Sequence, residues 1–293
     1  YKFNGKQFDD ETGLYYYGAR YLNPVTSLWM SVDPAADRYP NISPYTYCAN
    51  NPMIYIDPTG MYIEKGSQKE WKRRKSDVTS QRDYLQKQVD KLTAKAEAKG
   101  WSSEKLAGKI GNKAERLASL NSSIGTMETL EGSTQVYSLS HTGYGENGGV
   151  TLNTSTNVID IKFGSTANFV HEMTHAGQFE TGDVAFTNTG MSLLQDVYDE
   201  TAAYKAQFGY SPSSVSGLTS TSVANSFGAI TPAWVQGLKD ATGSTPYAVG
   251  GSANTGLIPV NINSTRDALI QAYPWKAAEL RQLPENYNLR TLQ

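Results

Sequence analysis

Alternating hydrophobic and polar positions mark the middle of the 293-residue chain. Residues 134–139 and 158–163 alternate with the period of two that predicts strands, and residues 150–152 form a shorter apolar run. A glycine-rich turn over 143–149 lies between them. Residues 164–166 then lead into a predicted helix. This block therefore indicates an α+β fold with a small sheet.

Two segments with helical spacing precede the block. Residues 67–99 carry apolar side chains at mostly helical intervals, and Gly100 is a stop signal. Residues 101–104 have the pattern of a helix cap, and we expect a second helix from there towards Leu130. The two helices predict an antiparallel helical hairpin over 62–132.

The part after the block is also predicted to be helical. Residues 192–208 have helical spacing, and 211–293 is rich in Ser, Thr, Gly and Asn with short helices. Thr231 and Ser264 are predicted caps, and Pro274 is predicted to begin another short helix. Trp234 and Trp275 are expected to anchor these helices to the core. The pattern predicts a helical C-terminal subdomain within a domain over 133–293.

Charge and cysteine content narrow the function classes. The formal net charge of −2 implies neither a nucleic-acid partner nor a membrane partner, although 64–120 carries +7 and 141–210 carries −6. Cys48 is the only cysteine, so there is no disulfide framework, and no stretch reaches the length of a transmembrane span. The chain starts at Tyr1 without a Met or a signal peptide, so we expect a C-terminal fragment of a longer polypeptide.

The motif H-E-x-x-H occupies residues 171–175 and holds two of only three histidines. On a helix, His171 and His175 leave the same face one turn apart, so both imidazoles can reach one Zn²⁺. Glu172 between them faces the position of an activated water, which makes it the predicted general base. The alternative is a helix whose histidines pack or cap without a metal.

The order of strand, short loop and motif-bearing helix resembles that of the zincin metallopeptidases. The resemblance implies that 158–163 is the sheet edge along which a peptide substrate lies by β-augmentation. A glutamate on a second helix, 25 positions after His175, resembles the arrangement of the glutamate-zincins, and the string D-E-x-x-A-Y over 199–204 resembles the third-ligand helix of several toxin-type zincins. Both resemblances imply Glu200 as the third zinc ligand. Other residues remain alternatives for that ligand: His141, Glu180, Asp196 and Asp199.

A peptidase also needs a hydrogen-bond donor, besides zinc, for the oxyanion that forms at the scissile carbonyl. The candidates are Tyr204, Tyr198, Tyr210 and His141, and the sequence does not choose among them. Residues that orient the histidines are a further requirement. Asp196 and Asp199 are the candidates for that role, and Gln178 is a candidate for shaping the metal pocket.

Residues 1–61 are dense in Tyr, Pro, Asn and Gly, with turn signals such as Asp57-Pro58 between short strand-like stretches such as 14–22. This segment is predicted to be strands and turns with little core of its own. Its motifs resemble the C-terminal end of the Rhs (YD-repeat) core. They read Y-Y-Y-G-A-R-Y over 15–21, W-M-S-V-D-P over 29–34, S-P-Y-T-Y over 43–47, N-N-P over 50–52 and D-P-T-G over 57–60.

The Rhs resemblance implies a shell of repeats that encloses a toxin domain following the D-P-x-G motif. It also implies self-cleavage near Gly60 and Met61 by two aspartates, Asp33 and Asp57, that act as base and acid. We therefore expect a zinc metallopeptidase toxin that is delivered into target cells by a bacterial secretion system. Its expected partners are the Rhs shell, a protein or peptide substrate and an immunity protein.

Two alternatives to this interpretation remain open. One is a metal-free, zincin-like domain attached to a self-processing Rhs segment. The other is a non-catalytic interaction domain that uses the basic residues 72–75 and the basic helices as its surface.

Overall fold

The computed structural model describes residues 7–17, 20–32, 43–47, 64, 66–143, 147–187 and 189–285. These residues form a mixed α+β structure, as the hydrophobic pattern predicts. The predicted self-cleavage pair Asp33 and Asp57 and the predicted cleavage point at Gly60 and Met61 lie outside the described residues.

An antiparallel four-stranded meander forms the first part of the described chain. Its strands are β1 (Gln7–Asp9), β2 (Leu14–Tyr16), β3 (Tyr21–Asn23) and β4 (Leu28–Trp29), in that spatial order. The strand-like stretch 14–22 is thus two paired strands rather than one. One face of the meander buries a small aromatic cluster of Tyr15, Tyr17, Leu22, Trp29 and Tyr47.

Three helices follow in the region of the predicted hairpin. They are α1 (Gln68–Lys99), α2 (Ser103–Ile110) and α3 (Lys113–Gly132). Helix α1 ends at Gly100, whose φ of 58° is the left-handed cap that glycine adopts at no steric cost. The expected second helix is wrong in one respect, because Gly111, with φ 55° and ψ −134°, breaks it into α2 and α3.

Helix α1 packs antiparallel to α3. The indole of Trp71 near the start of α1 donates to Glu131 at the end of α3 over 2.8 Å. Farther along α1, Arg82 donates to Asn121 near the middle of α3 over 3.4 Å. The predicted antiparallel arrangement is therefore confirmed, with α3 as the second long helix.

The central sheet has three strands, β5 (Val136–His141), β6 (Gly149–Asn153) and β7 (Val158–Phe163), in the order β5-β7-β6. Strand β7 runs parallel to β5 and antiparallel to β6. The prediction that 158–163 is a substrate-binding edge is therefore wrong, because hydrogen bonds occupy both sides of β7. Its alternation is as predicted, since Ile159, Ile161 and Phe163 are buried.

The helix α4 (Thr166–Thr181) lies against this sheet and against α3, and it carries the H-E-x-x-H motif. The short strands β8 (Ala185–Phe186) and β9 (Ser192–Leu193) pair with each other before α5 (Val197–Tyr210) begins. Helix α5 starts later than the predicted 192 because 192–193 is strand and Asp196 is the cap. Helices α4 and α5 pack against each other.

The C-terminal region contains the short helices α6 (Pro212–Ser216), α7 (Pro232–Gln236), α8 (Arg266–Ala272) and α9 (Ala277–Leu280). Thr231 caps α7 as predicted, whereas Thr265 rather than Ser264 caps α8. Trp234 is buried in one cluster and Trp275 packs against another. Within the described ranges, none of the helices is both long and apolar enough to cross a membrane.

Candidate metal centre

Helix α4 places the two histidines of the motif on one buried face. Ser165 caps the helix by accepting a hydrogen bond from the Asn168 N–H, and the four-residue spacing then aligns His171 with His175. Both side chains are buried, and their Nε2 atoms lie 3.3 Å apart. Two ring nitrogens facing each other at this distance require a proton or a cation between them.

Helix α5 brings a carboxylate to the same point. Glu200 is buried, with Oε2 3.4 Å from His171 Nε2 and Oε1 3.6 Å from His175 Nε2. The start of α5 is fixed by a capping box in which Asp196 accepts from the Tyr198 and Asp199 N–H groups and Asp199 accepts from the Asp196 N–H. The cap sets the position of Glu200, one turn into the helix.

The spacing of these three groups fits a tetrahedral zinc ion. Ligands about 2.0–2.1 Å from such an ion lie about 3.3–3.4 Å from one another. The observed separations are 3.3 Å between the two Nε2 atoms and 3.4 Å between His171 Nε2 and Glu200 Oε2, while His175 Nε2 lies 3.6 Å from the other oxygen, Oε1. Glu200 Oε2 is buried and has no hydrogen-bond partner among the described residues. A buried carboxylate oxygen without a donor is costly unless a cation compensates it.

The pKa shifts of the clustered side chains also favour a cation at this position. Burial alone would lower the pKa of His175, but the nearby Glu200 and Glu172 carboxylates outweigh it and raise the pKa to about 9. Burial alone would raise the pKa of Glu200, but the nearby His175 and His171 imidazoles lower it. The site thus stabilises positive charge between the imidazoles and the carboxylate.

Glu172 lies beside this triangle. It contributes a carboxylate oxygen within 4.8 Å of the two histidine nitrogens, and burial raises its pKa. Asn168, one turn earlier on α4, donates to Glu172 Oε1 over 3.0 Å and accepts from the Gly164 N–H over 3.0 Å. The Asn168 amide therefore holds one oxygen of Glu172 in place.

The residue opposite this carboxylate has to be a glycine. A Cβ at Gly148 would overlap Glu172 Oε1, and it would lie 2.7 Å from Asn168 Oδ1 and 2.9 Å from the main-chain oxygen of Lys162. Gly148 immediately precedes β6, so β6 is the strand that borders the site. The glycine lets the chain pass close to Glu172.

A cleft of about 380 Å³ opens over the site. It is lined by His171 and Glu172 on one helix and by residues of the loop that follows α7. The described lining residues are Asn147, Gly148, Asn168, His171, Glu172, Tyr204, Gln207, Leu218, Leu238, Lys239, Asp240, Ala241, Pro246 and Tyr247.

Of the oxyanion candidates, the structure brings Tyr204 to the site. Its ring lies 4.4 Å from the His171 ring, and its hydroxyl lies 3.5 Å from that of Tyr247. Burial raises the pKa of Tyr204, so its hydroxyl stays protonated and can donate. No local pattern points to Tyr247, because a long stretch of chain separates it from the motif.

The other candidates lie elsewhere. Tyr198 is 47% exposed on α5. His141, at the end of β5, has Nε2 3.4 Å from Glu70 Oε1 and its ring against Phe163. Tyr210, at the end of α5, accepts at its main-chain oxygen from Arg116. None of the three lines the described part of the cleft.

The acidic alternatives to Glu200 have other partners. Asp196 and Asp199 form the cap of α5, and Asp196 also accepts from the Val260 N–H over 2.8 Å. Glu180, near the end of α4, accepts from the hydroxyls of Tyr137 and Ser133. The side chain that the structure places against both histidines is therefore Glu200.

Comparisons with known proteins find similarity over about a fifth of the chain. The tRNA(Glu)-specific nuclease WapA of Bacillus subtilis subsp. natto is 39% identical over 70 residues, which is 22% of this chain and 3% of that protein. Toxin subunit YenC2 of Yersinia entomophaga is 43% identical over 60 residues, 20% and 6%. Toxin protein Tse5 of Pseudomonas aeruginosa is 41% identical over 63 residues, 21% and 5%.

The matches cover only part of this chain and only a small part of each relative. The chain spans only 3–6% of the length of these three curated relatives. No family model and no solved structure matches the chain. The chain therefore has partial homologues among Rhs-type toxin proteins.

Proposed function

We propose that this chain is the toxin-bearing end of an Rhs-type polypeptide and that its α+β part is a zinc-dependent peptidase. His171, His175 and Glu200 are the proposed zinc ligands, and Glu172 is the proposed general base. One observation carries the proposal: two imidazoles of one helix and a carboxylate of another are buried together, and each Nε2 lies within 3.6 Å of the other Nε2 and of an oxygen of that carboxylate, close to the ligand separations of a tetrahedral zinc ion.

In the proposed hydrolysis of a peptide bond, the ion and the protein side chains have separate roles. A bound zinc ion lowers the pKa of water to about 7 and polarises a carbonyl. Glu172, held by Asn168, accepts the proton of the attacking water and passes it to the leaving amine. Tyr204 and Tyr247 both line the cleft, and the Tyr204 hydroxyl donates to that of Tyr247 over 3.5 Å. These hydroxyls are the proposed donors to the carbonyl oxygen as it gains charge.

The charge of the cleft favours a peptide over a nucleic acid. A nucleic-acid cleft neutralises several phosphates with basic side chains. Among the described lining residues, Lys239 is the one lysine or arginine, and it is accompanied by the acidic Glu172 and Asp240. This balance supports proteolysis even though WapA, a partial homologue, is a nuclease.

The toxin assignment comes from the partial homologues, which include the toxin proteins YenC2 and Tse5. By the same analogy we propose delivery into target cells and an immunity protein in the producer. Self-cleavage by Asp33 and Asp57 stays a prediction from sequence.

The test compares wild type with Glu172→Gln and with the exposed control Glu128→Gln. We expect one zinc per chain in all three proteins by elemental analysis. Wild type and the control should arrest growth when produced inside bacteria and create new protein N termini, detected by mass spectrometry. Glu172→Gln should lose about 10²–10⁴-fold in cleavage, because it removes the general base while keeping the shape of the side chain.

A parallel incubation with total tRNA separates the rival activity. Cleavage of tRNA with the proteome intact would replace the peptidase by a nuclease. A protein without zinc, or a Glu172→Gln variant as toxic as wild type, would overturn the proposal and favour a non-catalytic interaction domain.

A further inference from the structure

Two glutamine amides lie directly behind the proposed zinc ligands. Gln178 follows His175 by three residues on α4, and its Oε1 lies 2.7 Å from His175 Nδ1. Its Nε2 donates to the main-chain oxygen of Asp199 over 3.1 Å. A main-chain carbonyl can only accept, so the amide nitrogen has to face Asp199 and the amide oxygen has to face His175.

This orientation fixes the histidine tautomer. An amide oxygen can only accept, so His175 Nδ1 must carry a hydrogen. In the neutral ring, which is the form that binds a metal, the lone pair of His175 is then on Nε2, the atom that faces His171 and Glu200. The hydrogen bond to the α5 backbone thus fixes the orientation of the Gln178 amide, and that amide in turn fixes which nitrogen of His175 can bind the metal.

Gln195 acts on the third ligand with the opposite polarity. Its Nε2 donates to Glu200 Oε1 over 2.8 Å, whereas Glu200 Oε2 has no hydrogen-bond partner among the described residues. The backbone of Gln195 is itself fixed, because its main-chain oxygen accepts from the Tyr273 hydroxyl and from the Gly256 N–H, each over 2.9 Å. One oxygen of Glu200 is thus occupied and the other is left for a cation.

We propose that Gln178 and Gln195 are positioning residues of the metal site, with Gln178 acting as a hydrogen-bond acceptor for His175 and Gln195 as a donor to Glu200. The inference rests on the proposed zinc site. It assigns Glu200 Oε2 as the single ligating oxygen of that carboxylate.

Because Gln178 accepts from one ligand and Gln195 donates to another, the same substitutions should change zinc affinity differently at the two positions. Glutamate at 178 keeps an acceptor for His175 but loses the donor to the Asp199 main-chain oxygen, whereas methionine loses both. Gln178→Met should therefore lose about 10–100-fold in zinc affinity, and Gln178→Glu should lose clearly less. Glutamate at 195 places a carboxylate against the Glu200 carboxylate. Both Gln195→Glu and Gln195→Met should therefore lose about 10–100-fold, with the glutamate variant the weaker binder.

The experiment measures the zinc dissociation constant by competition with a chromophoric chelator. The matched control is Gln135, another half-buried glutamine, whose amide donates to the main-chain oxygens of Val136 and Asn157 away from the site. Gln135→Met and Gln135→Glu should bind zinc as wild type does. Thermal unfolding of the zinc-free proteins records the general stability of each variant.

The outcomes separate this inference from the function on which it rests. If wild type binds no zinc, the metal site itself fails. If wild type binds zinc and glutamate and methionine have equal effects at each position, the glutamines serve packing only and the inference is overturned. The inference is supported if glutamate binds zinc better than methionine at position 178 and worse than methionine at position 195, because a role in packing or folding cannot produce that reversal.

Discussion

The substitution Gly148→Ala places a methyl group against the proposed general base. The backbone of Gly148 is outside the left-handed region, so alanine carries no conformational penalty there and its effect is purely steric. Ordinary contact begins at 3.4 Å, so Asn168 Oδ1, at 2.7 Å from the new Cβ, has to move by about 0.7 Å, and Glu172 Oε1 has to move farther. The new Cβ would also lie 2.9 Å from the main-chain oxygen of Lys162 on the central strand β7, which is closer than ordinary contact.

A shift of this size should be visible mainly in the reaction rate. Misplacement of a catalytic group by about 1 Å costs about 10²-fold, which corresponds to about 2.7 kcal/mol in the activation barrier. The three atoms nearest to the new Cβ belong to Glu172, Asn168 and Lys162 rather than to a proposed zinc ligand, so zinc should bind as tightly as in wild type. The expected result is a slow enzyme with a full complement of metal.

The assay compares proteome cleavage rates and zinc affinity for wild type, Gly148→Ala and the control Gly149→Ala. A Cβ at the adjacent Gly149 would meet nothing within 4 Å, so the control should keep the wild-type rate. Equal rates for all three proteins would refute the assignment of Glu172 as general base. Loss of zinc in Gly148→Ala would show that Glu172 and the ligands form one rigid unit instead.

Three further predictions concern stability. Gly111→Ala should lower the free energy of unfolding by about 1–3 kcal/mol, because alanine is strained at a φ of 55°. The control Gly108→Ala, within α2, should stabilise the protein by up to about 1 kcal/mol. Similar effects at both positions in thermal unfolding would contradict the backbone explanation. Tyr137→Phe removes a buried hydroxyl donor to Glu180 and should lower the free energy of unfolding in urea by about 1.5–3 kcal/mol; an unchanged midpoint would contradict this. Arg116→Met should cost about 1–3 kcal/mol by leaving two carbonyls at the end of α5 without their donor, and an equal melting temperature would show that water replaces it.

Local signals predicted the elements well. The bounds of α1 and of β7 agree with the prediction within one residue, because Gly100 stops the helix and alternation defines the strand. The pairing of His171 with His175 follows from helical spacing alone. These features depend on neighbours in sequence, which is why the sequence contains them.

Features that depend on distant contacts were missed. Strand β7 is central because β5 crosses over to pair with it in parallel, and no residue of β7 itself indicates that pairing. Tyr247 and Gly148 reach the cleft from separate loops. The pattern predicted a helix straight through Gly111, because a lone glycine is tolerated in helices and its φ depends on the packing of α3 on α1.

Asp196 gives the C-terminal region a part in metal binding. One oxygen of its buried carboxylate caps the helix of Glu200, and the other accepts from the Val260 N–H, 64 positions along the chain. A chain truncated before Val260 would leave that oxygen buried without a donor and would loosen the turn that positions Glu200. The C-terminal region carries no catalytic motif, but the position of Glu200 depends on it, so its removal should weaken metal binding.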